Sequence, residues 1–445
     1  MNEFTAPVPD ETDATDLVVT GALPTELSGR YFRNGPNPRP GEFAPHWFMG
    51  SGMLHGVRLR DGRAEWYRNR WVKFTDVDFV RPDGTLDYRG GPANTSVLEH
   101  SGRLFALVEQ AFPYEIDREL NTIGYCDFGG RLTTAMTAHP KTDPVTGELH
   151  FFGYSALPPF LTYHRLSATG ELVESRPIEV PGPTMMHDFA ITENYLVWLD
   201  LPAVFDFALV GKTMPYRWSD SYGARIGLMP RTGGTVTWHE IEPCYVFHVG
   251  NAREENGQVV LDAVRYSRSA FQGLWTDIGG TADDTPREAH RLYRWSISPS
   301  GVREQQLDDR EVEFPTHNEA RTGRPNQWLY AVSGDAVIKY DTRSGAADVD
   351  ARGDGWHVGE AVFVAAESPS DRPSGSAGGA AAEDAGWLVS IATHDHPEVP
   401  SQLLVHDATE VAAGPVATVH LPRRVPAGFH GAWIADATPF EGEVR

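Results

Sequence analysis

Residues 244–252 read Cys-Tyr-Val-Phe-His-Val-Gly-Asn-Ala, an apolar and aromatic run around one imidazole that closes on a Gly-Asn turn signal. A run of this length and composition reads as a β-strand. Taken alone, a histidine in such a place is a structural residue with its hydrogen bonds satisfied. Three more histidines share the setting. His139 stands in Ala-His-Pro-Lys-Thr-Asp-Pro, His187 in Met-Met-His-Asp-Phe-Ala-Ile, and His430 in Ala-Gly-Phe-His-Gly-Ala-Trp-Ile. Together with His248 they are separated by 48, 61 and 182 residues, so no two share a helical turn. If they meet, the chain winds around them. That geometry suits one metal ion at the centre of a closed, repeating architecture, and neutral imidazole is a ligand for zinc, copper, nickel and iron. Cys244 does not join them: at about 3.3 Å per residue it stands roughly 13 Å from His248 along an extended chain, and it reads as a small buried hydrophobe.

Working outward, the same strand rhythm continues in both directions. Short apolar runs cover residues 65–74, 103–108, 149–154, 195–199, 259–266, 291–297, 328–332 and 387–392. Turn residues separate them, including Asp61-Gly62, Gly102, Asn256-Gly257 and Ser333-Gly334. This is the pattern of a many-stranded antiparallel, all-β protein. Helical signals are few. Residues 202–211 read as a short apolar helix or lid, and weak repetition is compatible with a propeller of diverged blades. Residues 367–386, rich in Ser, Gly and Ala, read as a mobile loop between two strands of one domain spanning residues 1–445.

The bulk composition excludes several classes of function. With 445 residues and a net charge of −23, the chain has no basic stripe to neutralise phosphates, which argues against nucleic acid. The acidic start has no apolar leader segment, and no stretch is long enough to span a bilayer. Two cysteines make no disulfide framework. A cytoplasmic protein is the expectation, with oligomeric state left open.

At this point the local motifs converge. Arg33-Asn34-Gly35-Pro36-Asn37-Pro38, His46-Trp47-Phe48, the four histidine segments and Glu313-Phe314-Pro315 resemble, in order from about residue 20 to residue 436, the carotenoid cleavage oxygenases. The resemblance implies a seven-bladed β-propeller with short helices and loops capping its top face. It implies one non-haem Fe(II) per chain, held by His139, His187, His248 and His430. It also implies that Glu109, Glu313 and Glu360 each accept the distal N–H of one ligand, fixing its tautomer. His187 is the histidine expected to lack a carboxylate partner. Thr95 matches a position whose methyl group crowds one open coordination site, and Val108, Phe112, Phe205, Phe207 and Phe314 are the expected tunnel wall.

The activity implied is that of an oxidoreductase that splits a C=C bond of an apolar carotenoid or apocarotenoid with O2. Apolar segments such as 201–216 are expected to line the tunnel and to give peripheral membrane contact. Stilbene-cleaving relatives place a lysine where this chain has Val108, which tilts the substrate from a stilbenoid or phenylpropenoid towards a polyene. A metal-dependent propeller hydrolase and a non-catalytic isoprenoid-binding protein are the rival classes. His394 and His396, before Pro397, read as a surface turn, and His317 as a residue near the site or on the surface.

Overall fold

A computed structural model describes residues 5–77, 80–278, 287–366 and 382–436. Seven antiparallel sheets follow one another along the chain, and an eighth, two-stranded ribbon stands apart from them. The runs marked in the sequence become strands at Arg63–Trp71, Arg103–Leu107, Leu149–Tyr154, Tyr195–Asp200, Gln258–Arg265, Arg291–Ser298, Trp328–Ser333 and Gly386–His394. The turns between them have a local cause. Asn256 and Gly257 both take positive φ (52° and 77°), the geometry of a two-residue hairpin whose twist matches its flanking strands.

Each sheet is a blade of the propeller, and its first strand is the innermost. These strands are Ser96–His100, Lys141–Thr142, Ala190–Ile191, Val249–Glu255 and Glu313–Thr316. In the seventh sheet the inner position is split into Trp356–Val358 and Val362–Ala365, both paired with Gly386–His394. The remaining blade takes its inner strand from the far end of the sequence: Gly431–Ala435 pairs with Gly29–Pro36, with Gly431 opposite Arg33. The N-terminal strand Val19–Gly21 crosses the seam the other way and pairs with Pro415–His420. Both chain ends therefore close the ring. Arg58 and Arg30 hold Asp436 across this seam.

Aromatic residues fill the spaces between blades. Trp198 is fully buried and stacks on Phe189 at 5.4 Å. Truncating such a residue to alanine costs about 3–5 kcal/mol. Cys244 belongs to the same core, where burial pushes its thiol up to about 12.

The cap departs from expectation in two places. Residues 202–211 do not form an α-helix. They enter a hairpin, Ala203–Phe205 paired with Tyr216–Trp218, with a single 3-10 turn at Phe207–Leu209. Asp206 caps that turn by accepting the Ala208 N–H, while Pro202 and Pro215 flank the element and deny a continuing helix its donors. The one α-helix among the described residues, Arg268–Ile278, was not expected. Of the proposed loop 367–386, residues 367–381 lie outside the described residues. The rest is anchored: Glu383 accepts the N–H groups of Gln327 and Trp328, and Asp384 pairs with Lys339.

Candidate metal centre

One position is shared by six of the seven blades. Thr95, His139, His187, His248 and His430 each stand one to three residues before the start of an inner strand, and Glu313 opens its own. In the seventh blade Glu360 lies in the break between the two inner segments. The propeller thus brings to its axis residues that are dozens of positions apart. The four histidines offer ligand atoms that all lie within 4.8 Å of one another. Nε2 of His187 is 3.0 Å from Nε2 of His139 and 3.2 Å from that of His248.

Three carboxylates stand behind these rings. His248 Nδ1 meets Glu313 Oε2 at 2.6 Å, and His430 Nδ1 meets Glu360 Oε1 at 3.0 Å. His187 Nδ1 meets Glu109 Oε1. Each carboxylate is itself held: Glu109 by the Tyr154 hydroxyl, Glu313 by the Tyr266 hydroxyl and the Phe314 N–H, and Glu360 by the Gly431 N–H. No carboxylate among the described residues pairs with His139. This reverses the expectation that His187 would be the unpaired ring. The cause is the path of residues 108–113. Glu109 follows the second strand of its blade and reaches over the top to the His187 loop, while the inner position of that same blade, beside His139, is occupied by Thr95.

Electrostatics follow from burial and these partners. Burial drives the His139 imidazole well below its ordinary range, and the neighbouring rings add to this. Burial also lowers His248, although Glu313 opposes it. At His187 burial pulls the same way but Glu109 outweighs it, so that ring's pKa is raised. Burial disfavours the Glu313 carboxylate, yet His248 outweighs it and holds the group at about 2.

The centre opens on a cavity of about 710 Å³. His187, His248 and His430 line it; His139 does not. Of the five expected wall residues, Val108, Phe205 and Phe314 face the cavity. Phe112 instead stacks on Tyr125 at 6.1 Å and packs against a neighbouring core cluster. Phe207 is 67% exposed at the hairpin tip. Thr95 lines the cavity with its hydroxyl committed to Asn94 Oδ1 at 3.0 Å. His394 ends the strand Gly386–His394 and pairs with Trp356, His396 lies in the bend that follows, and His317 bonds Thr322.

The family model described as "Retinal pigment epithelial membrane protein" matches residues 5–435. A carotenoid cleavage oxygenase of Mycobacterium tuberculosis is 40% identical, over 97% of this chain and 97% of its own. The chain belongs to the carotenoid cleavage oxygenase family. Two solved structures share the fold over 98% of each chain: an apocarotenoid oxygenase of Synechocystis (25% identity, TM-score 0.83) and the lignostilbene dioxygenase of Pseudomonas brassicacearum (26%, 0.84).

In this carotenoid cleavage oxygenase the donor set suits a metal ion. Three rings give their Nδ1–H to a carboxylate, so each presents an Nε2 lone pair to the axis. Lone pairs facing one another at 3.0–3.2 Å repel unless a metal ion or a proton lies among them. His430 Nε2 is buried with no protein partner among the described residues. Four imidazoles without a thiolate fit a non-haem ion and not a structural zinc or iron–sulfur site.

Several wall residues escaped the sequence reading. Phe247 and Phe429 line the cavity, each one position before a central histidine, and that adjacency was a usable signal. Leu274 enters from the helix Arg268–Ile278. Its signature was also present: Ser267 accepts the Ala270 N–H as a cap, and apolar residues recur at 270, 271, 274, 275 and 278.

Proposed function

We propose that this protein is an Fe(II)-dependent dioxygenase that cleaves a C=C bond of a carotenoid or apocarotenoid into two carbonyl products. The observation that carries the reading is the meeting of four imidazoles at the inner end of an apolar cavity, backed by three carboxylates. Ferrous ion held by His139, His187, His248 and His430 supplies O2 activation when bound. The rest is done by the chain. Glu109, Glu313 and Glu360 fix the tautomers of three ligands and offset the 2+ charge from outside the coordination sphere. Phe314 stacks on His248 at 5.0 Å and faces the cavity. With Phe48, Phe247 and Phe429 it keeps water away and leaves a polyene few positions to occupy. Thr95, its hydroxyl turned to Asn94, offers its methyl group to the space beside the histidines.

The cavity chemistry favours a polyene over a stilbenoid. The wall at residue 108 is valine, which cannot grip a phenol oxygen. The hairpin tip supports peripheral membrane contact: Phe207 and Val210 are exposed, and Val210 also lines the cavity. An apolar substrate would pass from lipid to the site along that face. No described helix is long and apolar enough to cross a membrane.

The test is loss of both metal and turnover together. His248→Ala is expected to purify without iron and to cleave no polyene in air. A folded, iron-free His248→Ala protein with full activity would overturn the proposal. Hydrolysis that continues without O2 would favour a metal-dependent hydrolase instead.

A further inference from the structure

Arg33 is buried, with 6% of its surface exposed, yet it lines the apolar cavity. Among the described residues no carboxylate pairs with it. Its Nη2 donates to the Pro426 carbonyl, and its Nε has no partner. A buried charge normally has a counter-charge, because removing an ion from water is expensive. Burial accordingly lowers the Arg33 pKa, to about 10, which still leaves it cationic at neutral pH. Tyr31, two residues earlier on the same strand, lines the same cavity. No group among the described residues hydrogen-bonds its hydroxyl. Gly428 covers the guanidinium closely: a Cβ there would fall 1.5 Å from Nη1. The backbone is therefore shaped to seat this cation at the cavity wall.

We propose that the Arg33 wall of the cavity is a subsite for an acceptor oxygen at one end of the polyene, a carbonyl or carboxylate, with Arg33 and Tyr31 as donors. The proposal rests on the oxygenase reading and refines it: the preferred substrate carries oxygen at one terminus, and that terminus sets which double bond lies beside the histidines. Arg33 and Tyr31 are specificity-determining groups outside the metal centre. A hydrogen bond from a charged donor in such a setting corresponds to roughly 10- to 100-fold in affinity.

The experiment compares an aldehyde-ended polyene with a hydrocarbon polyene of equal length on the iron-loaded full chain. Wild type, Arg33→Met and Tyr31→Phe are compared. The measurements are kcat and KM for each substrate, and binding of each polyene by quenching of tryptophan fluorescence. The expected result is that wild type prefers the aldehyde. The preference should fall about tenfold or more in Arg33→Met and severalfold in Tyr31→Phe, mainly through KM, with the same loss in the binding titration. If Arg33→Met fails to fold, Tyr31→Phe decides, since it removes only one hydroxyl. Folded variants that keep the wild-type preference in turnover and binding overturn the subsite. Absence of cleavage of either polyene by wild type sinks the oxygenase reading instead, while the binding titration still judges the subsite.

Discussion

Replacing Glu313 by Gln tests whether the carboxylates act through charge or only through shape. In the native site one oxygen takes His248 Nδ1–H at 2.6 Å and the Phe314 N–H at 2.6 Å, and the other takes the Tyr266 hydroxyl at 2.6 Å. Glutamine keeps the shape but offers one acceptor and one donor. If its oxygen faces His248, the ring retains its tautomer but its partner is now neutral. A hydrogen bond to a charged group contributes about 1.5–3 kcal/mol and a neutral one about 0.5–1.5, so the loss is about 1–1.5 kcal/mol, or roughly tenfold in iron affinity. If the amide NH2 faces His248, the imidazole must move its proton to Nε2, 3.2 Å from the Nε2 of His187, and the loss is greater. Glu313→Ala removes the acceptor altogether and is expected to cost about 100-fold, the upper end for partners of metal-bound histidine. Anaerobic competition against a chelator of known affinity measures both variants. An affinity for Glu313→Gln within twofold of wild type would refute the reasoning.

Four further outcomes follow. Iron should compete with a proton at His187, whose pKa is raised because Glu109 outweighs burial. Its protonated form is favoured in the metal-free protein below that raised pKa, so iron affinity should fall with pH there with a slope of one proton; a slope near four in a chelator titration would contradict this. Stripping iron should lower the melting temperature, because the ion binds only the folded chain, and about 4 kcal/mol is at stake at 1,000 times the dissociation constant; equal melting curves with and without iron would count against it. Phe207→Asp should cut co-sedimentation with neutral phosphatidylcholine vesicles about tenfold or more, in line with losing one buried aromatic, whereas an unchanged bound fraction would remove this residue from the membrane proposal. Asp436→Asn should destabilise the ring by about 1–3 kcal/mol in denaturant unfolding, since it strips the buried Arg58 of its main partner. Burial raises the Asp436 pKa but Arg58 outweighs it and holds it low, so this contribution is full above the ordinary carboxylate range and fades as pH falls through the lowered value.

The strands and the histidines were legible in the sequence because both are local signals. A run such as Leu149–Tyr154 declares itself through composition, and the residues around His248 identify it whatever the rest of the chain does. The partnership of rings with carboxylates was not legible, since it depends on which loop passes over which blade. Glu109 lies nearer to His139 in sequence, yet it reaches His187. The wall residues divide in the same way. Val108 and Phe314 adjoin residues already fixed at the axis and face the cavity. Phe112 and Phe207 lie on segments whose direction only the tertiary structure sets. The repeat itself escaped notice because what recurs is the entry to each inner strand, and the side chain found there changes from threonine to histidine to glutamate.

The way the ring closes also imposes an order on biosynthesis. His430 belongs to the last inner strand, which must find its partner near the beginning of the chain. A nascent polypeptide therefore has three of its central imidazoles in hand well before the fourth, since 182 residues separate His248 from His430. The four-imidazole set is complete only once the strand that shuts the ring has docked on Gly29–Pro36.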